Sequence, residues 1–144
     1  MMVGKRILIV DDDVDFSESV KTVLESDGYQ VEISHAGADG LSAAERNKPD
    51  LIVLDVMMEH TTAGFDVSRE LQKRPSLRSV PVLLVTGISR ELNLPFSFEA
   101  DEHYLPVREV IEKPVDPKLL LEKVHAMLAE DTQTASQPDE RRLR

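Results

Sequence analysis

Four short apolar runs in this chain each end at, or just before, residues able to do chemistry, and that arrangement constrains the fold more than any other feature. Ile7-Leu8-Ile9-Val10 runs into Asp11-Asp12-Asp13, and Leu51-Ile52-Val53-Leu54 runs into Asp55. Val82-Leu83-Leu84-Val85 ends in Thr86 and Gly87, and the shorter Val110-Ile111 leads to Lys113 and Pro114. Near-continuous runs of Ile, Leu and Val are the mark of strands buried on both faces, as in a parallel sheet covered by helices. If the strands lie parallel, the residues that end them share one edge of the sheet, and ligands of open α/β sheets bind in the crevice outside that edge.

The intervening segments supply the helices. Val14 to Asp27 carries Phe16, Val20, Val23 and Leu24 at helical spacing, with Gly28 placed to stop it. Tyr29 to Ser34 alternates as a half-buried strand, and Ala38 to Asn47 reads as a second helix closed by Pro49 before a strand over Asp50 to Asp55. A third helix fits Phe65 to Lys73. The last begins with Asp116 as N-cap and Pro117 at the first helical position, and buries Leu120, Leu121, Val124 and Leu128. Strand and helix signals alternate throughout, the pattern of an α/β domain. Ile88 to Pro106 is acidic and interrupted by Pro95 and Pro106, and accommodates one short helix. From Glu130 the large apolar residues nearly vanish. The organisation expected is one domain over 1–129 with a disordered tail over 130–144.

Bulk properties narrow the function. The 144 residues suit a single core. With no cysteine there are no disulfides, thiolate metal ligands or thiol nucleophiles. A net charge of -10 opposes binding to a phosphate backbone, so no direct nucleic-acid contact is expected. The apolar runs fall far short of the roughly 20 residues that cross a bilayer, and Asp11 arrives before any signal-peptide core. The expectation is a soluble cytoplasmic protein without a membrane role.

Carboxylates gathered within about 4 Å repel by roughly 4 kcal/mol per pair at an effective dielectric near 20, so Asp11, Asp12 and Asp55 at one edge call for a cation or protons. Oxygen donors of this kind favour Mg²⁺ or Mn²⁺, and Mg²⁺ keeps positions for water and phosphate oxygens. Any one of these aspartates could instead cap a helix, as Asp13 or Asp15 could for the segment from Val14. The coincidence of Asp11, Asp12, Asp55, Thr86 and Lys113 at equivalent strand ends favours a site for a divalent cation and a phosphoryl group.

Four motifs in this order, Ile7 to Asp13, Pro49 to Met58, Val85-Thr86-Gly87 and Lys113-Pro114, resemble the receiver domain of two-component response regulators, and the likeness runs from about Arg6 to Leu128. The resemblance implies a doubly wound, flavodoxin-like sheet of five parallel strands in the order 2-1-3-4-5, with helices on both faces. It implies that Asp55 accepts a phosphoryl group from a sensor histidine kinase or phosphotransfer protein. It further implies that Asp11, Asp12, Asp55 and the backbone carbonyl of Met57 hold Mg²⁺ or Mn²⁺, that Thr86 bonds a phosphoryl oxygen, that Lys113 pairs with another, and that the Lys113-Pro114 peptide is cis. The expected output is a stand-alone receiver that switches a surface for a downstream protein or relays phosphate, with its oligomeric state open.

The chain departs from the family pattern in three places, one of them the Ile88 to Glu109 segment, which is longer and more irregular than the family's usual fourth helix. The loop after Asp55 lacks the usual proline and is one residue longer. Val110 stands where an aromatic residue is usual, leaving Tyr104 as a stand-in. The histidines, His35, His60, His103 and His125, have no ligand spacing and read as surface residues. Two other classes compete with this reading. A pseudo-receiver that binds partners without phosphorylation is disfavoured by the intact Asp55, Thr86 and Lys113. A Mg²⁺-dependent phosphatase of the haloacid dehalogenase type would need Asp-x-Asp-x-Thr, which the residues after Asp11 do not supply.

Overall fold

A computed structural model describes the backbone of residues 4–55, 63–86 and 107–136, and the side chains of 4–55, 67–85 and 109–129. Along the chain follow β1 (Arg6–Val10), α1 (Val14–Ser26), β2 (Gln30–Ser34), α2 (Gly37–Arg46), β3 (Leu51–Asp55), α3 (Ala63–Gln72), β4 (Val82–Thr86), β5 (Val107–Glu112) and α4 (Pro117–Ser136). The strands form one sheet in the order β2-β1-β3-β4-β5 with every pairing parallel, the flavodoxin-like arrangement expected.

Because side chains alternate across a strand, each strand feeds two cores. Leu8 and Val10 of β1 join Ile52 and Leu54 of β3 and Val82 and Leu84 of β4 against Ala43, Ala44, Val67 and Leu71 of α2 and α3. Ile7 and Ile9 turn the other way, with Leu51, Val53, Leu83 and Val85, to meet Val20 and Leu24 of α1 and Leu120, Val124 and Leu128 of α4. This explains why β1, β3 and β4 read as unbroken apolar runs. Burying one such Leu or Ile is worth about 1.5–3 kcal/mol, so the core leaves no place for a polar group inside these strands. Polar groups are held over to the strand ends.

Helix α1 starts and stops on local signals. The N–H of Phe16 donates to Asp13 Oδ1 at 3.0 Å, so Asp13 is the N-cap. At the other end Gly28 takes φ 95°, which a side chain would disfavour, and its N–H and that of Tyr29 return to the carbonyls of Glu25 and Leu24. Helix α2 lies close against the sheet at Gly40: a β-carbon there would lie 2.8 Å from a methyl of Val10.

Several boundaries differ from the sequence expectation. The strand expected at Val110-Ile111 spans Val107–Glu112, with a register shift between Val82 and Leu83 where β4 meets it. Helix α3 begins at Ala63 rather than Phe65. Helix α4 runs to Ser136, past the boundary set at residue 129. Once a helix is nucleated by buried residues, each added residue gains a hydrogen bond, so Ala129 to Ser136 can prolong it without a large apolar stripe. Among the described residues no helix is long and apolar enough to cross a membrane.

Candidate functional site

Strand polarity alone brings the site together. Asp11 follows β1, Asp55 ends β3, Thr86 ends β4 and Lys113 follows β5, all at the carboxyl edge of the sheet. The pairing sets their heights: Asp55 lies opposite Val85, and Thr86 opposite Glu112, one residue before Lys113. Asp11 and Asp55 are 1% and 4% exposed, whereas Asp12 faces solvent.

One carboxylate oxygen from each of Asp11, Asp12 and Asp55 lies within 4.8 Å of the others. At that separation, with an effective dielectric near 20, each pair costs about 3–4 kcal/mol, less where Asp12 is screened by water. The described counter-charge is Lys113, whose Nζ is 3.3 Å from Asp11 Oδ2 and 3.6 Å from Asp55 Oδ2. Its ammonium also lies 4.4 Å from the centroid of the Phe16 ring, a cation–π contact on its flank. The Lys113-Pro114 peptide is cis, as expected.

Asp11 is fixed on every side. Its N–H donates to the Ser34 carbonyl at 3.0 Å, and its Oδ1 accepts from the Asp13 N–H at 2.9 Å. Its own carbonyl accepts from the Ser17 hydroxyl at 3.3 Å and lies 2.9 Å from His35 Nδ1. Only its Oδ2 lacks a well-formed hydrogen bond although it is buried, the Lys113 contact being ionic and without hydrogen-bond geometry. A buried carboxylate oxygen in that condition, with two further carboxylates beside it and, among the described residues, one ammonium within ion-pair distance, fits a hard divalent cation of the Mg²⁺ type.

Asp11, Asp12, Asp55 and Lys113 are thus brought together as the sequence pattern suggested. Thr86 closes β4, its side chain outside the described residues, and Met57, His60, His103, Tyr104 and the short helix expected between Ile88 and Pro106 lie outside them too. Val110 is 36% exposed, so a small apolar side chain faces outward where an aromatic one was noted as usual. The sequence reading missed three contributors. By sequence Phe16 is only part of the helix stripe, Ser17 carries no signal, and His35 has the look of a plain surface residue. It is exposed, yet its ring nitrogen reaches the backbone of Asp11. A contact to a main-chain carbonyl from a neighbouring strand end leaves no mark in the spacing of residues.

Comparison with known proteins agrees with this architecture. The profile of the response regulator receiver domain matches residues 7–125. The chain is 33% identical over 124 residues to the protein PilH of Pseudomonas aeruginosa, covering 86% of this chain and 98% of that one. It is 35% identical over 124 residues to the response regulator MprA of Mycobacterium avium, of which it spans 50%. Among solved structures, a CheY-like response regulator receiver domain protein from Methanospirillum hungatei superposes with a TM-score of 0.76 at 34% identity, covering 90% of this chain and 98% of that one.

Proposed function

The chain belongs to the response regulator receiver domain family of two-component signalling, and from that premise we propose that it is a switch set by reversible phosphorylation of Asp55. The observation that carries the reading is the meeting of three carboxylates with one ammonium at the carboxyl edge of the sheet.

A carboxylate oxygen of Asp55 attacks the phosphorus of a phosphohistidine on a kinase or phosphotransfer partner. The new P–O bond forms as the P–N bond breaks, and the departing imidazole takes up a proton. Such transfer is governed by positioning and charge neutralisation more than by covalent chemistry from the protein. Asp11, Asp12 and Asp55, with the Met57 carbonyl, would hold Mg²⁺ or Mn²⁺, which when bound supplies positive charge for the phosphoryl oxygens. Asp55, buried in the sheet between β1 and β4, would meet the phosphoryl group at the carboxyl edge. Lys113, shared between Asp11 and Asp55, turns to the phosphoryl group, whose charge of about -1.5 to -2 replaces the single charge of the Asp55 carboxylate, and Thr86 offers its hydroxyl to a further oxygen. Both stand where β4 and β5 end, so closing on the phosphoryl group shifts those ends and the surface beyond them, which a downstream protein in the cytoplasm reads.

The test is intact-protein mass after incubation with acetyl phosphate and Mg²⁺, comparing wild type with Asp55→Ala. A labile gain of one phosphoryl group in wild type alone is expected. No gain under conditions that label a control receiver would leave a module that binds partners without phosphorylation.

A further inference from the structure

We infer that His35 is a positioning residue for the acidic cluster, holding the main chain of Asp11 so that its carboxylate is preset for a divalent cation. The inference rests on the metal-binding reading above and extends it to a residue that touches no proposed ligand atom.

The ladder between β1 and β2 ends with the Asp11 N–H on the Ser34 carbonyl, and the Asp11 carbonyl beyond it is met by side chains. Two candidates reach it, and their distances rank them. Ser17 has a single hydroxyl proton, and its oxygen lies 2.8 Å from the Asp13 carbonyl but 3.3 Å from that of Asp11, so the larger share of that proton goes to Asp13. His35 Nδ1 lies 2.9 Å from the Asp11 carbonyl, which can only accept, so the ring carries its proton on Nδ1 and donates.

This bond matters for the cluster because of what it restrains. The Asp11 side chain is fixed by the Asp13 N–H on Oδ1, which leaves Oδ2 directed at Lys113. With N–H and carbonyl both tied to the end of β2, the peptide planes flanking Asp11 cannot rotate, and the carboxylate inherits their orientation. Groups that orient ligands from outside the coordination sphere typically change metal affinity by about 10- to 100-fold when removed.

The test is Mn²⁺ affinity, read by the loss of the free-ion electron paramagnetic resonance signal, alongside the melting temperature of the metal-free protein. His35→Ala should weaken Mn²⁺ binding about tenfold, the low end of that range, with the metal-free melting temperature lowered by no more than about 5 °C, the cost of one hydrogen bond. His35→Asn should restore affinity, because its amide nitrogen is as many bonds from Cα as Nδ1 is. His35→Gln, one methylene longer, should not. Equal affinity of His35→Ala and wild type, or of His35→Asn and His35→Ala, would overturn the inference while leaving the metal site standing. If wild type itself bound no Mn²⁺, or bound it no better than Asp11→Ala, the metal-binding reading would fall and this one with it.

Discussion

The Lys113 ammonium lies nearer to Asp11, at 3.3 Å, than to Asp55, at 3.6 Å, although Asp55 is the residue it is expected to serve. Lys113 is thus a counter-charge to both carboxylates of the resting cluster, and a move towards a phosphoryl group on Asp55 would loosen its contact with Asp11.

Removing that counter-charge should be felt before any phosphorylation. Lys113→Met leaves two buried carboxylates without their ammonium, and since the lysine side chain is 23% exposed the loss falls below that of a fully buried pair, at about 2 kcal/mol. Urea denaturation in EDTA should show this deficit, and Mg²⁺ should reduce it by supplying charge from another direction. Equal stability of the variant and wild type in EDTA would mean the cluster does not depend on the lysine.

Asp55→Asn acts in the opposite sense. It removes one of three clustered anions while Lys113 keeps Asp11, so the metal-free protein should gain up to about 1 kcal/mol. Mg²⁺ should stabilise wild type by about 2.7 kcal/mol at a hundred times its dissociation constant, and the amide should forfeit most of that. Thermal melts of both proteins across a Mg²⁺ series separate the two effects. A variant much less stable than wild type without metal would make Asp55 a structural residue.

Gly40→Ala sets helix propensity against packing. Alanine is favoured over glycine in a helix interior by about 1 kcal/mol. Its β-carbon would stand 2.8 and 2.9 Å from the two methyls of Val10, which is 1% exposed and, being β-branched, cannot swing aside. Overpacking should prevail, with a net loss of about 1–3 kcal/mol by urea denaturation. Combining it with Val10→Ala should cost less than the sum of the two single changes, and strict additivity would show that the contact is not the cause.

Tyr29 gives the fold an alkaline limit. Burial raises its phenol above the ordinary value of 10.0, and Asp27 adds to the rise. Between 10.0 and the raised value the folded state keeps a proton that the unfolded state has lost, so the contribution is whole below pH 10 and declines as pH climbs through that window. Tyr29→Phe should flatten the fall of melting temperature from pH 9 to 11. At neutral pH it should change stability by less than about 1 kcal/mol, since the Tyr29 hydroxyl is buried without a hydrogen-bond partner among the described residues. Parallel pH profiles for the two proteins would place the phenol in water.

The legible part of the fold was the part written in periodicity. Ile7 to Val10, Leu51 to Leu54 and Val82 to Val85 are apolar at every position because both faces of those strands are covered, and the direction of a parallel sheet then places Asp11, Asp55 and Thr86 at one edge without further information. The cap of α1 was legible only as a choice between Asp13 and Asp15, and the Phe16 N–H on Asp13 Oδ1 decides it. Strand β5 was read too short because Arg108 and Glu109 break the apolar pattern at the edge of the sheet, where only one neighbour enforces it. The support of Asp11 by His35, and the ring of Phe16 beside Lys113, depend on where strand and helix ends meet in space, which no local pattern encodes.

The strand order has a consequence for the chain as it is made. Asp11, Asp12 and Asp55 all precede β4, whereas Lys113 follows β5, the final strand to join the sheet's edge. A nascent or truncated chain that has docked β1, β2 and β3 holds the mutual repulsion of the acidic group without the residue that relieves it. A chain that ends before β5 therefore carries all three carboxylates and lacks the one ammonium that the described residues set against them.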